Sequence, residues 1–96
     1  MSQETPAVTH DPEAGRFEID LEAGTAFVDY ELENGVMDLR STFVPPPHRN
    51  RGIGQRVVVA ALDHARAHGY RVIPTCPFVP GVIERNPGYR DLVEQP

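Results

Sequence analysis

The most specific chemical signal in this sequence is the spacing Arg49-x-x-Gly52-x-Gly54. Two glycines let a chain curl tightly and bring main-chain N–H groups close to a ligand. A helix starting at that point adds unsatisfied amides and the positive end of its dipole, which together favour an anion such as a diphosphate. Arg49, Arg51 and Arg56 add attraction and fork-shaped contacts to phosphate. His48, beside the turn, can touch the same ligand or stand exposed. The spacing is not the dinucleotide fingerprint, which needs a third glycine and an acidic residue near the end of the next strand. The plain alternative is a glycine-rich helix cap with exposed arginines.

Other residues offer weaker chemistry. Cys76 is the only cysteine. It can serve as a nucleophile or acid if Arg49 or a helix N-terminus stabilises its thiolate, or pack as a small apolar residue beside Pro77 and Phe78. His64 and His68, one helical turn apart, make half a metal site with no nearby cysteine or acid to complete it, so no metal is expected. Asp29, Glu31, Glu33 and Asp38 can attract a cationic amine or form a solvated sheet face. All nine basic residues are arginine, which excludes a Walker-type phosphate loop and a lysine Schiff base.

The elements that must hold these residues follow from the hydropathy pattern. Phe17, Ile19 and Leu21 alternate with Glu18 and Asp20, as in a half-buried strand. A second strand sets Ala26, Val28, Tyr30 and Leu32 inward, and Asn34-Gly35 forms a type I′ turn into a third strand, Val36 to Val44. Pro45-Pro46-Pro47 ends the ladder. A helix then runs to about His68, with Gly54, Val57, Val58, Ala61, Leu62 and Ala65 on one face and Gly69 as a left-handed cap. Tyr70 to Pro74 is a fourth strand, parallel to the third by a right-handed crossover. Phe78 to Arg85 is a shorter helix, and Tyr89 to Val93 a terminal turn. The expected architecture is α/β, a compact mixed sheet in the order βββ-α-β-α. Residues 1–15 form a mobile lead-in, and 16–96 a single domain.

Composition narrows the class. At 96 residues with 40% apolar and 24% charged residues, the chain reads as one globular domain. Its longest apolar run, Val57 to Leu62, is far short of the roughly 20 residues that cross a bilayer, so no membrane partner is expected. The lone cysteine and the absence of a secretory signal in residues 1–15 point to a reduced cytoplasmic setting. Residues 1–38 carry a charge of −9 and residues 39–96 carry +4, an acidic half joined to a basic half. The net charge of −5, with no interleaving of aromatic and basic residues, argues against nucleic acid. A monomer or weak homodimer is expected.

These segments resemble the GNAT acyltransferase superfamily, whose cofactor-diphosphate motif is Q/R-x-x-G-x-G/A and is matched by Arg49, Gly52 and Gly54. More narrowly, the chain is similar to the small single-domain subfamily. Leu39 to Pro45, Arg51-Gly52-Ile53-Gly54, Cys76-Pro77-Phe78-Val79 and, in degraded form, Asn86-Pro87-Gly88-Tyr89 match its patterns over roughly residues 16–93. The resemblance implies a truncated acyl-CoA N-acyltransferase core, with acetyl-CoA as cosubstrate between the third and fourth strands and an amine as acceptor. It implies that the backbone of Thr42, Phe43 and Val44 bonds the pantetheine arm, and that amides of Asn50, Arg51, Gly52, Ile53, Gly54 and Gln55 hold the diphosphate. It further implies Cys76 as a catalytic thiol and Tyr89 as a proton donor to the leaving thiolate, while the place of Tyr89 past Pro87 suits a packing role better. Ser41, Phe43, Asn86 and Gly88 depart from the subfamily pattern, each removing a polar or titratable group. The second reading is therefore a CoA-binding module with little or no turnover.

Overall fold

The computed structural model describes residues 6–94. Four strands pair antiparallel, β1 (Thr9–Asp11), β2 (Arg16–Leu21), β3 (Gly24–Glu33) and β4 (Val36–Phe43), the last three built on alternation of apolar and polar residues. The β3–β4 turn has positive φ at both Asn34 and Gly35 (52° and 76°), as an Asn-Gly hairpin requires. After helix α1 (Ile53–His68), β5 (Arg71–Ile73) joins β4 in parallel and completes a five-stranded sheet in the order β1-β2-β3-β4-β5. Helix α2 (Phe78–Arg85) and a 3₁₀ segment, Pro87–Leu92, close the chain. The α/β mixed sheet stands as expected, with one strand more.

The buried stripe of α1 is Ile53, Gly54, Val57, Val58, Ala61, Leu62 and Ala65. It packs with Phe17, Ile19, Ala26, Val28, Met37, Leu39 and Val72 from the sheet in one core. Each fully buried aliphatic side chain there contributes about 1.5–3 kcal/mol. Gly69 ends the helix in the left-handed conformation, its N–H donating to Arg66 O, while Tyr70 N–H donates to Ala65 O. These bonds satisfy carbonyls that the helix terminus leaves open.

Two expectations are corrected. The segment 1–15 is not wholly a lead-in: residues 1–5 lie outside the described residues, but Thr9–Asp11 pair with Arg16–Glu18. The His10 ring stacks on Phe17 at 4.1 Å, and its Nε2 lies 2.6 Å from the Tyr30 hydroxyl, anchoring β1 by contacts to residues distant in sequence. Leu32 shares the inward face with its partner, the fully buried Met37, yet is 44% exposed rather than covered. It sits near the Asn34-Gly35 turn at the rim of the sheet, beyond the cover of α1.

His10 also meets His64 edge-on at 4.6 Å, and His64 stacks on His68 at 4.1 Å. Burial, then neighbouring His68 and His10, holds His64 below the ordinary imidazole value. Burial, with His68 adding to it against Asp11, does the same for His10. The unfolded chain therefore binds protons first as pH falls. This contribution is full above the ordinary imidazole pKa and is lost as pH drops through it towards the lowered values. The melting temperature should decline between pH 7.5 and 5.5, and His64→Gln should flatten that decline. An unchanged slope in the variant would remove the histidine cluster as its source.

Candidate functional site

The site begins with a parting of strands. The β4–β5 pairing covers only Val36–Asp38 against Arg71–Ile73, because Pro74 cannot donate to a ladder. One more link follows, from Cys76 N–H to Leu39 O at 2.8 Å. On the other side of β4, Ser41 pairs with Asp29 and Leu39 with Tyr30, so Arg40 is an extra residue in a bulge. The bulge resets the alternation, so that Leu39 and Thr42 both face α1. Beyond it, the β5-side edge of β4 has no strand partner among the described residues, and a wedge opens between β4 and α2.

A cavity of about 470 Å³ occupies that wedge at the front of α1. Its walls hold Thr42, Phe43 and Val44 from β4 and its extension, and His48, Arg49, Asn50, Gly52, Ile53, Gly54 and Gln55 from the turn and first helical residues. Ten of the eleven residues expected to bind the cofactor are thus brought together; the side chain of Arg51 does not line the cavity. The turn owes its shape to left-handed conformations at Asn50 (φ 66°) and Gly52 (φ 75°). Among the described residues, no amide from Asn50 to Gln55 donates a hydrogen bond within the protein; the first such donor is Arg56, to Gly52 O. This is the arrangement that attracts an anion.

The two glycines act differently. Beyond its own chain neighbours, a Cβ on Gly52 would meet no atom of the described residues within 4 Å, whereas one on Gly54 would come within 3.1 Å of the Phe78 ring. Gly52 supplies the positive φ, and Gly54 lets Phe78 of α2 pack on the first turn of α1. Arg49 also differs from expectation: its Nε donates to Val44 O at 2.9 Å, bracing the turn against the end of β4. His48 Nε2 accepts from Ala23 N–H at 3.4 Å, tying the turn to the β2–β3 hairpin.

The candidate catalytic residues separate. Cys76 is 5% exposed, with Sγ 3.3 Å from Thr42 Oγ1, so it lies one side chain behind the cavity wall. Among the described residues, no arginine donates to its sulfur. Tyr89 does not line the cavity: its hydroxyl donates to Asp63 at 2.6 Å, about nine residues and roughly 14 Å along α1 from Gly54. That hydrogen bond, followed by burial, raises its pKa, which makes it a poorer acid. Its expected role as proton donor is not supported by this position. Asn86, at the degraded motif, donates through Nδ2 to Val82 O at the end of α2, and Gly88 O accepts from Arg66.

On the sheet face away from α1, Asp29 accepts from both the N–H and hydroxyl of Ser41, and Glu31 pairs with Arg40 at 2.6 Å. Asp38 accepts from the Thr75 hydroxyl, while Glu33 stands exposed near the hairpin end. Asp29, Glu31, Arg40 and Ser41 border a second, polar hollow. Two residues of the cavity wall are not among those the sequence assigned to cofactor binding, Phe78 and Arg85. With Gly81 they recur at i, i+3 and i+7 along α2, a helical stripe beside the buried Val79, Val82 and Ile83. That period was the available signal.

Comparison with known proteins agrees with this geometry. The sequence model of the GCN5-related N-acetyl-transferase family matches residues 16–92. The proteins NATD1 of Bos taurus and Mus musculus are 31% and 30% identical over 83 residues, covering 83% of this chain and 74% and 76% of theirs. The fold is similar to the NMR structure of a GCN5-like candidate N-acetyltransferase from Staphylococcus aureus. That match has a TM-score of 0.74 at 22% identity and covers 98% of this chain and 93% of the other. The match across nearly the whole ordered sheet and both helices shows that the chain belongs to the GCN5-related N-acetyltransferase family.

Proposed function

We propose that this protein transfers an acetyl group from acetyl-CoA to the nitrogen of an amine. The observation that carries the reading is the uncommitted amide run from Asn50 to Gln55 at the mouth of a cavity whose opposite wall is the parted edge of β4. In this reading the amides take the diphosphate, and the Thr42–Val44 backbone takes the amide groups of the pantetheine arm. Phe43, Val44, Ile53 and Phe78 supply apolar walls. The thioester then lies near Thr42. The amine lone pair attacks the carbonyl carbon, the C–S bond breaks, and the departing thiolate takes a proton. Cys76 supplies that proton through the Thr42 hydroxyl, a relay its 3.3 Å contact supports, and the proton shed by the acylated nitrogen returns along the same relay to restore the Cys76 thiol. The acidic sheet face, on the side of Asp29 and Glu31, favours a cationic acceptor.

Thiol release from acetyl-CoA with a panel of amines tests the activity. Cys76→Ala should lower kcat about 100-fold, as loss of a positioned acid does, with the KM for acetyl-CoA unchanged and no acetylated enzyme by intact mass in the parent protein. Acetyl-Cys76 in that spectrum would make the residue a nucleophile instead, and full turnover in the variant would remove it from the chemistry. The polar groups absent at Ser41, Phe43, Asn86 and Gly88, with Tyr89 held on Asp63, favour the second reading, a CoA-binding module without efficient turnover. CoA binding with no thiol release from any amine would select it.

A further inference from the structure

The nine arginines are largely accounted for by partners within the fold. Arg16, Arg40, Arg66 and Arg71 pair with carboxylates. Arg56 and Arg49 donate to the carbonyls of Pro6 and Val44. Arg51, Arg85 and Arg90 remain, and of these Arg85 alone lines the cavity. Its Nε donates to the neutral Gln55 Oε1 at 3.2 Å. Among the described residues, no carboxylate forms an ion pair with it. The side chain lies back along α2, with Nη1 3.8 Å from the position a Cβ would take on Gly81. The bare glycine leaves that track open, and the guanidinium reaches the first turn of α1 with both Nη groups uncommitted.

We infer that Arg85 is the side-chain cation of the diphosphate subsite, gripping from α2 the anion whose other side meets the amides of Asn50 to Gln55. The inference rests on the reading of the cavity as a CoA site. It adds an arginine of α2 to Arg49, which lines the same cavity and whose Nε braces the turn. A guanidinium fork suits phosphate oxygens, and CoA offers two sources, the diphosphate and the ribose 3′-phosphate. The diphosphate is favoured because Gln55, the residue that holds Arg85, belongs to the amide run itself.

The test is the affinity of the parent protein and Arg85→Gln for CoA, dephospho-CoA and pantetheine, measured by NMR titration so that millimolar binding is legible. Arg85 is exposed, so the variant should keep the parent melting temperature. Loss of one charge-assisted contact should weaken CoA and dephospho-CoA alike, by about tenfold or more, and leave pantetheine unchanged. Arg85→Lys, which retains charge without the fork, should recover part of the loss. An unchanged CoA affinity overturns the assignment. So does a loss confined to CoA, which would place Arg85 on the 3′-phosphate, or an equal loss for pantetheine, which would reduce it to shaping the wall. A parent protein that binds no CoA refutes the reading of the cavity itself.

Discussion

Gly52→Val is expected to leave the chain folded and to abolish CoA binding. Gly52 sits at φ 75° and ψ 10°, a conformation that a β-branched residue resists at about 1–2 kcal/mol. Among the described residues, no atom beyond Gly52 and its two chain neighbours lies within 4 Å of the position its Cβ would occupy, so the backbone cost is the main one within the fold. The melting temperature should fall by roughly 5–15 °C. The effect on the ligand is larger, because Gly52 lines the cavity and the isopropyl group takes up open space through which an anion would approach the amides of Asn50 to Gln55. Each hydrogen bond to a charged group is worth about 1.5–3 kcal/mol, so losing two lowers affinity by about 100-fold or more. Titration calorimetry reads this directly, and a variant that binds CoA as the parent does would contradict a backbone-held diphosphate.

Leu62→Ala should have the opposite profile, a large stability loss with little change in CoA affinity. Leu62 is fully buried and lies more than two turns into α1, away from the cavity lining. Truncating such a side chain costs about 2–5 kcal/mol, depending on how far the neighbours collapse into the space. A domain of this length has about 5–14 kcal/mol in all, so the variant forfeits a large share. Thermal unfolding should shift down by roughly 10–25 °C, while CoA affinity measured well below the transition stays within a factor of about three. A loss of affinity as large as that of Gly52→Val would mean that the cavity is coupled to the whole of α1 rather than built by its first turn.

What the sequence disclosed follows from what is local. The Asn34-Gly35 turn, α1 with its Gly69 cap and the break at Pro45-Pro46-Pro47 are encoded within a few residues each, and the structure has all three. The cofactor cradle was legible because its ingredients are a strand end, a glycine turn and a helix start in unbroken succession. β1 was not, since Thr9–Asp11 show no period and the His10 ring finds Phe17 and Tyr30 only after the sheet forms. The position of Tyr89 was hidden for the same reason: its bond to Asp63 spans 26 residues, and no pattern near Pro87 reveals it. Arg85 was missed although its spacing from Phe78 was visible, because a stripe on α2 gains meaning only once Gly54 has seated that helix beside the turn.

The most direct measurement is a ¹⁵N-resolved NMR titration of the protein with CoA, read amide by amide. The largest shifts should fall on Asn50 through Gln55, with smaller ones along Thr42 to Val44. Saturating CoA that moves other amides and leaves those six in place, or that moves none, would contradict a diphosphate held by the backbone.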